Sequence, residues 1–183
     1  MERGAKVDSA AYAEAMAGDL LEQGSVVQLR PPYPHEGERL REIAIASKSY
    51  WGYDLDRVRQ WAALGDFSPE GLRTKEVWVA ELDSRAIGWA ALIPKGDVCL
   101  LDDLWIEPEW IGKGIGMRLF QHAAECGRQL DAKRMEWEAE RHAIGFYEKM
   151  GGRYLRDSEP GVWGRVNPVF GVGLPARPRP RGE

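Results

Sequence analysis

Short, mostly apolar runs separated by turns occupy the middle of the chain, and such runs are typical of β-strands. In Glu76–Leu82, successive residues would point to opposite faces of a strand. A short turn joins this run to a second apolar run at residues 86–93, so the pair predicts a hairpin. After another turn, Val98–Ile106 predicts a third strand. The pattern therefore predicts an antiparallel meander in the centre of the chain.

Segments with apolar residues three or four positions apart flank this meander, and that spacing is typical of helices. The predicted helices are residues 8–21, 36–49, 54–64, 114–130 and 142–150. Further strands are predicted at residues 26–30, 134–139, 153–156 and 164–174, and residues 65–74 are predicted to form a loop. A meander followed by a strand–helix–strand unit is typical of an α/β (α+β) fold with a mixed sheet flanked by helices.

The chain has 183 residues, a length that suits one domain. We expect residues 1–24 to be a helical extension and residues 25–174 to form the domain. Residues 175–183 alternate proline with arginine, which predicts a flexible tail.

Composition excludes several classes of function. A net charge of −4 gives no reason to expect a nucleic-acid partner. No apolar stretch approaches the ~18 residues of a membrane span, and the N-terminus has no apolar signal segment. Cys99 and Cys126 form no Cys-x-x-Cys pair, so we expect free thiols and a cytoplasmic protein. The histidines show no metal-ligand spacing, so no metal site is predicted.

Two further features of the composition suggest where individual side chains lie. His122 falls on the polar face of the helix predicted at residues 114–130, so we expect it in solvent. The sequence also contains eight tryptophans, more than a core of this size needs, and we expect some of them to line a ligand site.

Gly112-Lys113-Gly114-Ile115-Gly116 lies between the third strand of the meander and the helix that follows. The first backbone N–H groups of a helix have no acceptor inside it and carry partial positive charge. Glycines remove the Cβ atoms that would keep a phosphate away from those groups. The segment therefore predicts a diphosphate site on the backbone, to which Lys113 adds a positive charge at the rim.

Neither common nucleotide motif accounts for this turn. In a Walker A motif Glu107 would have to be glycine and Gly114 would have to be serine or threonine. The dinucleotide motif Gly-x-Gly-x-x-Gly begins at Gly112 but meets Met117 where its last glycine is required.

The stretch from Leu101 to Leu119 instead resembles the acyl-CoA-binding motif of the GNAT superfamily of N-acetyltransferases. Leu104, Ile106 and Pro108 match its strand, and Gly114 and Gly116 match its glycine turn. Ile111 stands where the family has arginine or glutamine.

A second stretch, from Ala143 to Gly151, resembles the family's motif Asn-x-x-Ala-x-x-Phe-Tyr-x-x-x-Gly, with Glu140 at the asparagine position. The resemblance implies a splayed mixed sheet and acetyl-CoA (coenzyme A) as the acyl donor. The pantetheine arm would pair with the backbone of Leu104, Trp105 and Ile106. The cofactor-binding residues that it implies are Leu104, Trp105, Ile106, Ile111, Gly112, Lys113, Gly114, Ile115, Gly116, Met117, His142 and Tyr147.

The implied reaction is direct acyl transfer from the thioester to a primary amine. Tyr147 stands at the family's usual acid position, where it would protonate the leaving thiolate. Asp102 is the first candidate for the base, with Glu138 and Glu140 as others. Asp102 and Asp103 are expected on opposite faces of their strand.

The residues expected to bind the acceptor are Tyr50, Trp51, Tyr53, Asp103 and Glu138. The alternative that Trp51 and Tyr53 only hold the two preceding helices together stays open. So does the nature of the acceptor, either a small-molecule amine or a peptide amine, and a homodimer is possible.

Two other functions remain open at this point. The departures at Ile111 and Glu140 leave room for a non-catalytic acyl-CoA-binding or sensor module of the same fold. The motif Pro178-Arg179-Pro180-Arg181 leaves room for an interaction protein that uses its tail.

Overall fold

The structure is a computed structural model and describes residues 26–175. The helix predicted at residues 8–21 and the tail from residue 176 onwards lie outside the described residues. The strands are β1 Gln28–Arg30, β2 Glu76–Leu82, β3 Arg85–Lys95, β4 Val98–Ile106, β5 Arg134–Glu138, β6 Arg153–Asp157 and β7 Pro168–Gly173. The helices are α1 Gly37–Tyr50, α2 Leu55–Ala62, α3 Pro69–Arg73, α4 Ile115–Gln129 and α5 Ile144–Lys149, with 3₁₀ turns at Pro108–Trp110 and Arg141–Ala143.

The strands form one sheet in the order β1-β2-β3-β4-β5-β7-β6. Neighbouring strands of this sheet run antiparallel, except that β4 and β5 run parallel. The parallel pairing covers Val98–Leu100 of β4 and ends at Glu136 of β5, so the two strands diverge beyond that point. The predicted splayed mixed sheet is therefore confirmed, and its opening exposes the backbone of the second half of β4.

Helices cover both faces of the sheet. One core cluster gathers around α4, whose Ile115, Leu119 and Ala123 are buried against the strands. The other lies under α1, where Leu40 and Ile43 pack beside Trp89. The α1 helix and β3 are also joined by a hydrogen bond of 2.9 Å from the Trp89 indole N–H to the Leu40 carbonyl.

A β-bulge lies in β4 next to the sheet opening. Ala91 pairs with Asp103 and Leu92 with Leu101, so Asp102 is the extra residue. The expectation that Asp102 and Asp103 lie on opposite faces is therefore wrong, because the bulge breaks the alternation and both carboxylates contact the Lys75 ammonium.

Two predicted elements need correction. The segment predicted as a loop at residues 65–74 contains α3, which begins with Ser68 accepting a hydrogen bond from the Gly71 N–H and with Pro69 in the first turn. The last strand begins only at Pro168. The four residues before it lie in a loop that is closed by the Ser158 N–H on the Asn167 carbonyl, at 2.8 Å.

His122 also differs from expectation. It is half-buried because its ring packs edge-on against Trp78, with 5.0 Å between ring centroids. Within residues 26–175 no helix combines the length and apolarity that crossing a membrane requires.

Candidate active site

A cleft of about 360 Å³, here called the glycine cleft, opens between β4, the N-terminus of α4 and α5. It lies where β4 and β5 diverge, so main chain that is unpaired on one side forms part of its wall. Its lining residues are Ser47, Trp51, Leu104, Ile106, Trp110, Ile111, Gly112, Gly114, Gly116, Met117, His142, Ala143, Phe146, Tyr147, Lys149 and Met150.

The glycine turn at the entrance of α4 presents free main-chain donors to this cleft. Gly112 and Gly114 adopt φ angles of +83° and +80°, a left-handed conformation that glycine adopts without strain. The first intrahelical hydrogen bond is donated by the Arg118 N–H to the Gly114 carbonyl, at 3.1 Å. The N–H groups of the three residues between them therefore have no acceptor inside the helix.

Gly116 leaves room for a ligand at this turn. A Cβ atom there would lie 3.6 Å from the Phe146 ring and 3.8 Å from the Ile106 side chain, and both of these residues line the cleft. A larger side chain at position 116 would therefore project into the space next to the free N–H groups.

Most of the residues predicted to bind the cofactor line the glycine cleft, but three side chains do not. Ile115 is buried in the core, at 1% exposure. Lys113 is exposed, and its ammonium lies 4.5 Å from the centre of the Trp110 ring. Trp105 faces the opposite side, where it packs edge-on against Trp61. Ile115 can therefore serve a ligand in the cleft only through its main chain, while the side chains of Lys113 and Trp105 do not form part of the cleft lining.

Several lining residues were not predicted from the sequence. Ala143, Phe146 and Met150 fall beside Tyr147 at helical spacing, so the apolar face of α5 was the signal that could have indicated them. Lys149 contributes the positive charge of this wall. Ser47 and Trp110 come from α1 and the 3₁₀ turn, and no local pattern marks them.

Tyr147 is the buried polar side chain at the inner end of the cleft. Its ring packs against Trp137 and Phe146, with centroids 5.0 and 5.1 Å away. No group in the described part of the chain forms a hydrogen bond with its hydroxyl. Burial, assisted by the negative charge of Glu140, raises the pKa of the Tyr147 phenol well above its usual value. The hydroxyl therefore stays protonated and free to donate.

Two smaller cavities continue from the glycine cleft. The inner cavity, of about 100 Å³, shares Ser47, Trp51, Leu104, Ala143 and Tyr147 with the cleft. The outer cavity, of about 220 Å³, shares Lys48, Glu138 and Glu140 with the inner one. The three spaces thus form a row that runs past Tyr147 to the other side of the sheet opening.

Lys48 and Glu140 form an ion pair between the inner and outer cavities. Lys48 is only 5% exposed, and its ammonium lies 4.6 to 5.5 Å from the centres of the Trp61, Tyr53, Trp105 and Trp163 rings. Such rings stabilise a desolvated cation.

The Tyr53 hydroxyl donates to the other oxygen of Glu140, at 2.8 Å. Burial acts to raise the pKa of the Glu140 carboxyl, but the hydrogen bond and charge of Lys48 outweigh it, so the net pKa is lowered. The Glu140 carboxyl is therefore ionised at neutral pH.

The other acidic candidates lie in different surroundings. Asp103 receives a hydrogen bond of 2.8 Å from the Trp105 indole N–H, and burial raises its pKa despite the nearby Lys75. It lines none of the three spaces. Asp102 lines the inner cavity and is paired with Lys75. Glu138 lines both smaller cavities and accepts a hydrogen bond of 3.2 Å from the Asn167 side-chain amide.

The aromatic residues at the end of α1 and just after it differ in their surroundings. Trp51 stacks on His142 with 5.1 Å between centroids, and both line the glycine cleft. Tyr53 lines the inner cavity. Tyr50 is exposed, lines none of the three spaces and packs edge-on against Trp51.

Residues 37–152 match the model of the Acetyltransferase (GNAT) family, a segment that runs from α1 to the end of the second motif. The peptidyl-lysine N-acetyltransferase YjaB of Salmonella typhimurium is 28% identical over 161 residues, which are 82% of this chain and 99% of that protein. The uncharacterized N-acetyltransferase YjgM of Escherichia coli is 29% identical over 97 residues, 49% of this chain and 58% of that protein.

Solved structures share the fold. The PaiA N-acetyltransferase of Thermoplasma acidophilum, in complex with coenzyme A, superposes with a TM-score of 0.68 at 20% identity, covering 81% of this chain and 99% of that one. The apo form of YjaB from Escherichia coli superposes with a TM-score of 0.60 at 23% identity, covering 83% and 99%.

Proposed function

Because the chain belongs to the acetyltransferase (GNAT) family, we propose that it transfers an acetyl group from acetyl-coenzyme A directly to a primary amine. Because it belongs to this family, the chain is an N-acetyltransferase. The identities of the acyl donor and of the acceptor are part of the proposal. The observation that carries it is the continuous row from the free N–H groups of α4, past the Tyr147 hydroxyl, to the inner cavity. A relative that acts on peptidyl-lysine and a neighbour solved with coenzyme A support it.

The donor fits the glycine cleft at two places. The free N–H groups of Ile115, Gly116 and Met117 would hold its diphosphate, with Lys149 near the same wall. The unpaired edge of β4 around Leu104 would hydrogen-bond the pantetheine arm as a further strand. When bound, the thioester supplies an electrophilic carbonyl at the inner end of the cleft.

Two side chains at the inner cavity carry out the proton transfers, Glu138 as the base and Tyr147 as the acid. Glu138 accepts a proton from the attacking amine and, being exposed, returns it to solvent. A main-chain N–H near Leu104 donates to the oxyanion. The C–N bond forms, the C–S bond breaks, and the Tyr147 hydroxyl protonates the departing sulfur. Tyr147 then regains a proton from solvent, which balances the proton that Glu138 releases. We favour Glu138 over Asp102 as the base because Asp102 is already paired with Lys75.

Direct transfer, without an acetyl-enzyme intermediate, is supported by the positions of the two cysteines. Neither Cys99 nor Cys126 lines the cleft or the two smaller cavities. Burial raises the pKa of both thiols, that of Cys126 to about 11, so little thiolate forms at neutral pH. These free thiols also support a cytoplasmic location.

A thiol-release assay with a panel of amines tests the proposed function. We expect free coenzyme A to appear only when acetyl-CoA and an amine are both present, with an equal amount of N-acetylated product measured by mass spectrometry. Tight binding of acetyl-CoA without turnover of any amine would instead favour a non-catalytic acyl-CoA-binding module.

We also propose that residues 25–174 form the catalytic domain and that two copies pair through β6. This strand is at the edge of the sheet, and all five of its residues are exposed, including Tyr154 and Leu155. Analytical ultracentrifugation should give a dimer for the wild type and a monomer for Leu155→Lys. A monomeric wild type would disprove the pairing through β6 and would leave the proposed acetyl transfer unaffected.

A further inference from the structure

The loop between β6 and β7 is an ordered wall of the outer cavity. The Ser158 N–H donates to the Asn167 carbonyl at 2.8 Å, and a second bond of the same length joins the Gly161 N–H to the Arg165 carbonyl. The loop is thereby closed on itself. It brings Trp163 and Arg165 to the outer cavity, opposite Trp61 of α2.

Four charged side chains line this cavity, two of each sign: Lys48, Glu138, Glu140 and Arg165. Lys48 and Glu140 neutralise each other as the buried pair described above. Glu138 has an amide donor as its neighbour but no cation within ion-pair distance in the described structure. One carboxylate in the cavity is therefore left without a compensating charge.

Arg165 is the matching positive group. Its Nη1 donates to the Tyr53 hydroxyl at 2.7 Å, and its Nη2 is 3.7 Å from Glu140, too far for a hydrogen bond. A guanidinium has five N–H donors, so most of those on Arg165 are available. Its side chain is 32% exposed, which makes these donors accessible from the cavity. The Tyr53 contact fixes the orientation of the guanidinium fork.

The Glu138 carboxylate and the remaining N–H donors of Arg165 lie in one small cavity, where they complement a ligand that carries both an ammonium and an anionic group. Arginine recognises carboxylates through two parallel hydrogen bonds, which a lysine cannot form. Trp61 and Trp163 supply apolar area for the rest of the ligand. The volumes of about 100 and 220 Å³ are each below the ~300 Å³ at which pockets for drug-sized ligands begin.

Building on the proposed function, we infer that the acceptor is an amino acid or a close analogue, with its amine directed at Glu138 and its carboxylate on Arg165. The reaction is the acetyl transfer written above, with the amine nitrogen as nucleophile and coenzyme A as leaving group. Arg165 takes part in no bond change and acts as a specificity-determining residue.

Matched acceptors that differ only in the carboxylate test this inference. Leucine is compared with isopentylamine and phenylalanine with phenethylamine, using thiol release and product mass. A charge-assisted pair contributes about 1.5–3 kcal/mol, so kcat/KM should be at least about tenfold higher for the amino acid of each pair.

Arg165→Gln should abolish this preference by raising the KM of the amino acid, with little change for the plain amine or for acetyl-CoA. Arg165→Lys should restore only part of the preference for the amino acid, because lysine keeps the positive charge but cannot form two parallel hydrogen bonds with the carboxylate. Arg59→Gln is the control, since Arg59 lies exposed on α2 and lines none of the three spaces.

Three outcomes would overturn the inference while leaving the acetyltransferase proposal intact. They are equal rates for the two members of each pair, a preference that survives Arg165→Gln, and faster acetylation of an internal lysine in a blocked peptide than of any free amino acid. Failure to acetylate any amine would instead contradict the proposed function itself.

Discussion

Glu140 stands where the family motif has asparagine, and its contacts explain what the carboxylate does there. Its two oxygens accept from Lys48 and Tyr53, one on α1 and the other on the loop that follows it. An asparagine could not neutralise the buried Lys48 ammonium. The carboxylate at position 140 therefore serves as the partner of Lys48. The two side chains together form the boundary between the inner and outer cavities.

Removing the charge of Glu140 should change how the free energy of unfolding depends on pH. The folded-state pKa of Glu140 is lowered from its usual 4.5, so its stabilising contribution is present above that pH and is lost as pH falls through the folded-state value. At neutral pH Glu140→Gln should lower the free energy of unfolding by about 3 kcal/mol, because Lys48 is left buried without a partner.

The difference between wild type and Glu140→Gln should narrow below about pH 4.5, as the wild-type carboxyl becomes protonated. Urea titrations at several pH values measure this gap. Glu38→Gln, which removes only an exposed pair with Arg41, should change the free energy of unfolding by less than about 1 kcal/mol. A gap for Glu140→Gln that stays constant down to low pH would contradict the assigned pair.

Tyr147→Phe should lower kcat by about 100-fold, because the variant keeps the ring packing but loses the proton donor to the leaving sulfur. The dissociation constant for acetyl-CoA should hardly change. Steady-state kinetics and calorimetry measure the two effects. Tyr154→Phe, which removes an exposed hydroxyl bonded to Asp157, is the matched control. An unchanged kcat in Tyr147→Phe would exclude this residue from the mechanism.

The two candidate bases can be separated by isosteric amides. Glu138→Gln should lower kcat/KM for the amine by about 100-fold or more, since the amine then loses its proton acceptor. Asp102→Asn should have a smaller effect, because Asp102 is already bound to Lys75 on the wall of the inner cavity. The reverse order in a kinetic comparison would make Asp102 the base, as first predicted from the sequence.

At the scale of elements, the N-terminus of α4 is the part of the fold on which donor binding depends. Gly116→Glu should reduce coenzyme A binding below detection, because the new carboxylate would occupy the space of the diphosphate and repel it. Gly116 is preferable to Gly114 for this test, since Gly114 has a positive φ and any substitution there is strained. Gln121→Glu places the same charge on the exposed face of the same helix.

Calorimetry and thermal unfolding of both variants separate binding from folding. We expect Gln121→Glu to bind coenzyme A like the wild type and Gly116→Glu to remain folded without binding it. Equal affinities in the two variants would mean that the diphosphate is held elsewhere.

The regular elements were predictable because their signals are local. The apolar runs between turns predicted β2, β3 and β4, and the glycine turn predicted the start of α4 within one residue. The α3 helix was not predicted, because its segment was assigned to a loop as a whole. Its local signals are present, since Ser68 caps the helix and Pro69 lies in its first turn. The bulge at Asp102 has no local signal, since it depends on how β3 and β4 pair.

At the scale of the whole molecule, the glycine cleft, the inner cavity and the outer cavity lie side by side at the splay of β4 and β5. Tyr147 and Leu104 lie on the wall shared by the cleft and the inner cavity, and the Lys48–Glu140 pair lies between the inner and outer cavities. In the proposed reaction the donor would occupy the cleft, and the acceptor would approach from the side of the two smaller cavities.

The lining of the inner and outer cavities could be predicted from the sequence only in part. Tyr53 and Glu138 were expected near the acceptor and line these cavities. Lys48, Trp61 and Arg165 come from α1, α2 and the β6–β7 loop, and they meet only when the chain is folded. The lining of the glycine cleft was predicted more fully, because two contiguous motifs form most of it. Long-range placement, rather than residue type, was the missing information.

A crystal structure of the protein with coenzyme A tests the central claim most directly. We predict that diphosphate oxygens lie within hydrogen-bonding distance of the N–H groups of Ile115, Gly116 and Met117, with the thiol directed at Tyr147. Coenzyme A bound outside the glycine cleft, or in it with the diphosphate away from these N–H groups, would contradict the account.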